Sequence, residues 1–255
     1  MSANACANNG RDEPAMKAAS TSPFTAAVPS CRPHDLLWLD SPAALFSGNP
    51  LPAWVGKQWH AGLPVVVRRD KRSKGPIPVG IRGKRRSERA AAWVSPDSVR
   101  HVVTPESLAT DRQKLAASPF ARTKPVRAIF ELARLELPWT WGVTGSCAYA
   151  LATGQPVMHE ESDLDILIRC PDRQERNAFA RLAKVLDTLP CRTDIQIETP
   201  AGAFALKEWL RIKPGTGENG GGNSSLGQVL LKTDSGPVLC ADPWQIPPLK
   251  ERDTP

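Results

Sequence analysis

Ser162-Asp163-Leu164-Asp165-Ile166-Leu167-Ile168 is the stretch on which the fold turns. Its alternation predicts a strand over 164–168 whose period of two sends Leu164, Ile166 and Ile168 to one face and Asp163 and Asp165 to the other. Two carboxylates projecting side by side repel each other unless a cation lies between them. Donor sets made only of oxygen suit magnesium (Mg2+). A pair of divalent ions bridged by carboxylates can activate a hydroxyl and steady a departing phosphate. A solvated strand edge would explain the same two aspartates without chemistry, so the flanking sequence has to decide.

Working outward toward the N-terminus, 139–144 reads as a short apolar strand running into Gly145-Ser146, and 146–152 as a helix starting at that glycine turn. Glycine lets the backbone approach a ligand closely. The free N–H groups of a helix N-terminus, together with its dipole, bind phosphate. Toward the C-terminus, Phe179, Leu182, Leu186 and Leu189 mark one face of a helix. A strand over 192–198 follows, with Asp194 opposite the face of Thr193, Ile195 and Ile197, which makes Asp194 the natural third carboxylate. Val126, Ile129, Phe130, Ala133 and Leu137 recur at helical spacing, and 229–232 with 237–240 predict a late hairpin. The alternation predicts an α+β domain with a mixed sheet over 119–255.

The order of Gly-Ser turn, Asp-x-Asp strand and third acidic strand resembles the DNA polymerase β-like nucleotidyltransferase superfamily. That resemblance implies that Gly145 and Ser146 hold the β- and γ-phosphates of a donor, that Asp163, Asp165 and Asp194 bind magnesium, and that Asp163 and Asp165 are catalytic. The interval from Ser146 to Asp163 is long for the pattern, so 154–161 reads as an insertion. More narrowly, 32–244 resembles the phosphoribosyl-dephospho-CoA transferase family of bacterial malonate decarboxylase. The likeness rests on Arg32-Pro33-His34-Asp35-Leu36-Leu37-Trp38-Leu39, Pro64-Val65-Val66-Val67-Arg68-Arg69-Asp70, Pro78-Val79-Gly80-Ile81-Arg82-Gly83, the stretch from Gly145-Ser146 through Thr153-Gly154, and Ser162-Asp163-Leu164-Asp165. It implies transfer of the phosphoribosyl-dephospho-CoA group from 2'-(5''-triphosphoribosyl)-3'-dephospho-CoA to a serine of the apo acyl carrier protein, with release of diphosphate.

The rest of the chain predicts a basic, β-rich domain over 31–118, with strands at 63–69 and 77–81 flanking a basic turn. The net charge of +7 is concentrated there: 68–93 holds ten lysines and arginines against Asp70 and Glu88. Such a patch favours an anionic partner. Arg82, Arg85 and Arg86 could meet either the donor's phosphates or an acidic carrier protein. Residues 1–30 hold few large apolar side chains and predict a disordered tail without a secretory signal. With 41% hydrophobic and 23% charged residues and no apolar run of membrane-spanning length, the chain is expected to be cytoplasmic, away from membranes.

The six cysteines are widely spaced without a C-x-x-C pair, and the four histidines are scattered, which argues against zinc and disulfides. Gly215-Thr216-Gly217-Glu218-Asn219-Gly220 fits a dinucleotide fingerprint, but it follows Lys213-Pro214 and leads into Gly221-Gly222, so it reads as a loop. No P-loop motif is present, and the tryptophans read as core or rim residues. Two rival functions stand beside the first: a nucleotidyltransferase that adenylates a small molecule or protein with ATP, and, as the weaker reading, a nucleic-acid-binding protein using 68–89, in which the aspartates would be dispensable.

Overall fold

The computed structural model describes Met1, 31–71, 75–85, 87–212 and 227–245. The expected tail over 1–30, Met1 apart, and the glycine-rich stretch 215–222 therefore lie outside the described residues, as does Arg86.

The N-terminal part is β-rich. It comprises β1 (Leu36–Leu39), β2 (Leu45–Phe46), α1 (Ala53–Gln58), β3 (Val65–Val67), β4 (Ile77–Arg82), β5 (Arg89–Val94) and β6 (Val99–Val103). The strands form one sheet in the order β2-β5-β4-β3-β1-β6, antiparallel throughout. One face of it buries Leu37, Leu39, Val65, Val67, Ile77, Val79, Ile81, Ala92 and Val94 around Val55 and Trp59. This alternation assigns Leu36, Val66, Gly80, Arg82, Arg89 and Ala91 to the opposite face.

Then follow α2 (Pro105–Thr110), α3 (Arg112–Ala117), α4 (Lys124–Leu132), β7 (Thr140–Val143), α5 (Gly145–Thr153), β8 (Leu164–Arg169), α6 (Arg176–Leu186), β9 (Thr193–Thr199), β10 (Gly202–Ala205), α7 (Leu206–Arg211), β11 (Val229–Thr233) and β12 (Gly236–Cys240). Their sheet has the order β12-β11-β10-β9-β8-β7 and is mixed. Its β8–β9 pair is parallel and the other pairs are antiparallel. The parallel pair requires a crossover, and α6 supplies it, burying Phe179, Leu182 and Leu186. The architecture is the α+β arrangement expected, a β-rich first part followed by a mixed sheet.

Leu164, Ile166 and Ile168 point from β8 into one core with Ile195, Ile197, Phe179, Ile129 and Leu132. Burial of each such side chain stabilises by roughly 1.5–3 kcal/mol. A slip of one residue would drive Asp165 into that core, which fixes the register of the strand. The expected helical faces extended to Leu137 and Leu189, but α4 and α6 stop at Leu132 and Leu186. Pro138 and Pro190 disfavour helical geometry at the residues before them, and both leucines still pack on the core from outside the helices. Helices α2 and α3, inside the expected 31–118 segment, give Leu108, Ala109 and Leu115 to this second cluster, as do Leu36 and Val103 from the first sheet. Among the described residues no helix is long and apolar enough to cross a membrane.

Candidate active site

Strand β7 runs antiparallel to β8, so its C-terminal end lies beside the start of β8. The amide of Thr144 donates to the carbonyl oxygen of Asp165 at 2.9 Å, tying the end of β7 to β8. The chain then turns at Gly145, where φ is +67°, and enters α5. A Cβ at Gly145 would fall 1.8 Å from Oδ2 of Asp165, so only glycine fits against that carboxylate. The Thr144 side chain makes no cap hydrogen bond to the first turn of α5. Ser146 is half-buried directly behind Gly145.

The parallel register sets Asp165 abreast of Asp194. Asp163 stands just before β8 with its carboxylate 3.5 Å from the Arg192 guanidinium, and its side chain is 44% exposed. Asp194 is exposed. The Gly-Ser turn thus lies against Asp165 at one end of the mixed sheet, with Asp194 abreast of Asp165 and Asp163 two residues before it in the chain. Their oxygen donors are the kind magnesium takes, although among the described residues no group of three or more His, Cys, Asp or Glu is gathered as a ligand set for a metal ion.

Further along the same face, Leu167 lies beside Gln196 and Arg169 beside Glu198. Arg169 is nearly buried; its Nε donates to Glu106 at 2.8 Å and its other arm to Glu198. Arg69 reaches Glu198 at 3.0 Å and Arg32 reaches Glu106 at 3.2 Å, so residues of the first sheet's connections and of α2 close this face. Burial alone would raise the Glu106 carboxyl, but its hydrogen bond and charge contact with Arg169 hold it below the usual value. Gly142 makes room for α2: a Cβ there would lie 2.3 Å from the Pro105 carbonyl carbon.

His34, with φ of 77°, places Nε2 2.7 Å from the Gln196 side-chain nitrogen. An amide nitrogen only donates, so the imidazole accepts there and is neutral. Burial, and then Arg69, Arg169 and Lys232, lower the His34 pKa to about 4.

A cavity of about 480 Å³ opens between the free face of the first sheet and α5, with Gly145, His34, Tyr149, Arg68, Arg82 and Arg89 in its wall. The Arg82 guanidinium carbon lies 5.4 Å from the centre of the Tyr149 ring. Of the cations singled out in the sequence, Arg82 thus reaches the space beside Gly145. Arg85 is exposed in the β4–β5 turn, where its amide donates to Glu88 at 2.8 Å, and it does not line the cavity. Sequence reasoning missed Arg68, Arg89, His34 and Tyr149. The first two lay inside the basic patch, and recognising the β4–β5 hairpin would have found Arg89, because it pairs with Arg82.

The described cysteines are free thiols, and burial pushes Cys147 up to about 12, so it is inert as a nucleophile. Five of the aromatic residues, Trp139, Phe179, Phe204, Trp209 and Trp244, pack against one another in the core, mostly edge-on or tilted.

Comparison with known proteins supplies the family. The chain matches a family model described as the phosphoribosyl-dephospho-CoA transferase MdcG N-terminal domain over 32–105 and one described as the corresponding C-terminal domain over 107–243. A phosphoribosyl-dephospho-CoA transferase of Klebsiella pneumoniae (strain 342) is 48% identical over 214 residues, covering 84% of this chain and 96% of that relative. One of Azotobacter vinelandii is 40% identical over 216 residues, covering 84% and 94%. Pseudomonas aeruginosa has one that is 37% identical over 217 residues, again covering 84% and 94%. No solved structure matches. With both of its halves matched and relatives aligned along nearly their whole length, the chain belongs to the phosphoribosyl-dephospho-CoA transferase family.

Proposed function

We propose that this chain transfers the phosphoribosyl-dephospho-CoA group from 2'-(5''-triphosphoribosyl)-3'-dephospho-CoA to a serine of the apo acyl carrier protein of malonate decarboxylase. The observation that carries the reading is the meeting of Gly145 and Asp165 in one space with Asp194 abreast. A phosphate-holding turn and an acidic end of the sheet then act on the same triphosphate. An ester bond forms between the serine oxygen and the α-phosphorus, the bond from that phosphorus to its β-bridging oxygen breaks, diphosphate leaves and the serine proton goes to solvent.

In this mechanism Gly145 and Ser146 offer backbone N–H groups, and Ser146 its hydroxyl, to the β- and γ-phosphates at the N-terminus of α5. Asp163 and Asp165, with Asp194, would hold magnesium, which supplies charge neutralisation and a lowered hydroxyl pKa when bound. The protein's own contribution is position: the Thr144–Asp165 backbone link fixes turn and carboxylate against each other, so donor and acceptor need little reorganisation. Arg82 belongs to the donor side, beside Gly145. Arg85, exposed on the hairpin turn, belongs to a surface for an acidic carrier. A cytoplasmic location is part of the same reading, in keeping with unpaired thiols.

The test measures diphosphate release alongside circular dichroism for Asp163→Asn and Asp165→Asn. Both should lose at least about 100-fold in turnover with the fold intact. Retention of more than about a tenth of the activity in both would sink the metal-site reading. In the same assay Arg85→Glu should raise the KM for the carrier more than that for the donor, an effect that fades as salt rises.

A further inference from the structure

The chain enters β1 through Arg32-Pro33-His34-Asp35. The Asp35 amide donates to the Arg32 carbonyl at 3.1 Å and the Arg32 amide to Oδ2 of Asp35 at 2.8 Å, which closes these four residues into a turn. Proline fixes φ at about −65° in its second position, and in its third position φ is 77°. That is the type II pattern, whose third position takes glycine because a side chain on a positive φ is strained. Here it holds His34, the one non-glycine residue with a positive φ among the described residues. Strain kept where glycine would remove it points to a use for the side chain. The His34 amide donates to the Val67 carbonyl at 2.9 Å and the Val67 amide to the Asp35 carbonyl at 2.8 Å, so the backbone that carries the ring is tied to β3.

The contacts of the ring fix where its proton sits. Oε1 of Gln196 lies 3.5 Å from Nζ of Lys232, which turns the amide nitrogen toward His34. Nε2 of His34 therefore accepts from Gln196, and the single proton of the neutral imidazole is on Nδ1. Nδ1 makes no hydrogen bond among the described residues and keeps solvent access. The ring stands in the wall of the same cavity as Thr144 and Gly145. Gln196 shares with Asp194 the face of β9 turned away from the core, so the ring lies one step along from the acidic end of the sheet. The charges felt at the ring are those of Arg69, Arg169 and Lys232, all positive, which favour an anion beside it. A fixed N–H in such a field suits the oxygen of a phosphate.

We propose that His34 binds the donor substrate, its Nδ1–H donating to a phosphate oxygen, and that Gln196 is the positioning residue that keeps the proton on that nitrogen. This contact presupposes the function proposed above, in which a polyphosphate substrate lies beside Gly145. It makes the turn before β1 part of the site, although the turn belongs to the first sheet and the aspartates to the second.

Ring-nitrogen NMR of the full chain reads the contact without turnover, the His34 signal being assigned by its loss in His34→Gly. At neutral pH the wild-type ring should carry its proton on Nδ1, and inorganic tripolyphosphate should shift that nitrogen while adenosine, which has no phosphate, should not. Dephospho-CoA identifies the oxygen: a shift with it and none with tripolyphosphate would place the same contact on the diphosphate of the dephospho-CoA arm. His34→Gly should fold, since glycine suits this turn position, and in calorimetry it should bind the responding phosphate compound at least about tenfold more weakly. His34→Asn, also tolerant of a positive φ, should weaken it in the same direction. Gln196→Leu should let the Nε2–H form appear and weaken the same ligand at least about threefold. A proton on Nε2 in the wild type, no shift of Nδ1 with either phosphate compound at millimolar concentration, an equal shift with adenosine, a tautomer unaltered by Gln196→Leu, or unchanged affinity of the folded His34 variants for both compounds would each overturn the proposal. A protein that binds phosphate through His34 yet loads no carrier would refute the function proposed above and leave this contact standing.

Discussion

The carboxylate of Asp165 occupies the space that any side chain at residue 145 would need: a Cβ on Gly145 would lie 1.8 Å from its Oδ2 and 2.7 Å from its Cγ. The turn and the acidic strand are thereby locked to each other, and the lock depends on a residue without a side chain.

Gly145→Ala is therefore expected to displace Asp165 and also to strain a backbone with φ of +67°, costing about 1–3 kcal/mol of stability. Misplacing a reacting group by about 1 Å costs on the order of 100-fold in rate. Turnover measured by diphosphate release should fall by that factor or more, and a variant with over half the wild-type rate would show that Asp165 is free to sit elsewhere.

Arg169 bridges Glu106 of α2 and Glu198 of β9, and all three side chains are at most 16% exposed. Arg169→Gln removes the cation that the two carboxylates share and leaves Glu106 to Arg32 and Glu198 to Arg69, so the expected loss is about 1–3 kcal/mol in urea unfolding. A loss below about 1 kcal/mol would mean that the network does not hold the first sheet against the second.

His34 makes a pH-dependent contribution. Its folded pKa of about 4 lies below its ordinary 6.5, so between those values the unfolded chain binds more protons and stability falls with acidification. Glu106, held low, adds a loss of the same sign, and Asp35, raised by burial, opposes it. His34→Gln keeps both carboxyls, so the wild-type Tm minus the variant Tm isolates the histidine. That difference should decrease as pH is lowered from 7 to 4, and a constant difference would contradict a neutral, half-buried His34.

Much of this site was legible because its residues obey short periods. The alternation around Asp163 and Asp165 placed them opposite Leu164, Ile166 and Ile168, and Thr193 to Ile197 did the same for Asp194; the parallel register then set Asp165 beside Asp194. The first sheet was harder to read. Strand β5, Arg-Ala-Ala-Ala-Trp-Val, has too little hydrophobic contrast to reveal its alternation. Without it neither the Arg82–Arg89 pair nor the Gly80–Ala91 pair could be seen. His34, Gln196 and Arg169 come together from positions far apart in sequence, across the contact between the two sheets. No local pattern encodes such a meeting.

The most direct test of the whole account is mass spectrometry of purified apo acyl carrier protein of malonate decarboxylase after incubation with this protein, magnesium and either triphosphoribosyl-dephospho-CoA or ATP. The expected result is carrier carrying one phosphoribosyl-dephospho-CoA group with the first donor, almost none with ATP, and none with Asp165→Asn. Efficient AMP transfer from ATP with no product from triphosphoribosyl-dephospho-CoA, or undiminished loading by Asp165→Asn, would contradict it.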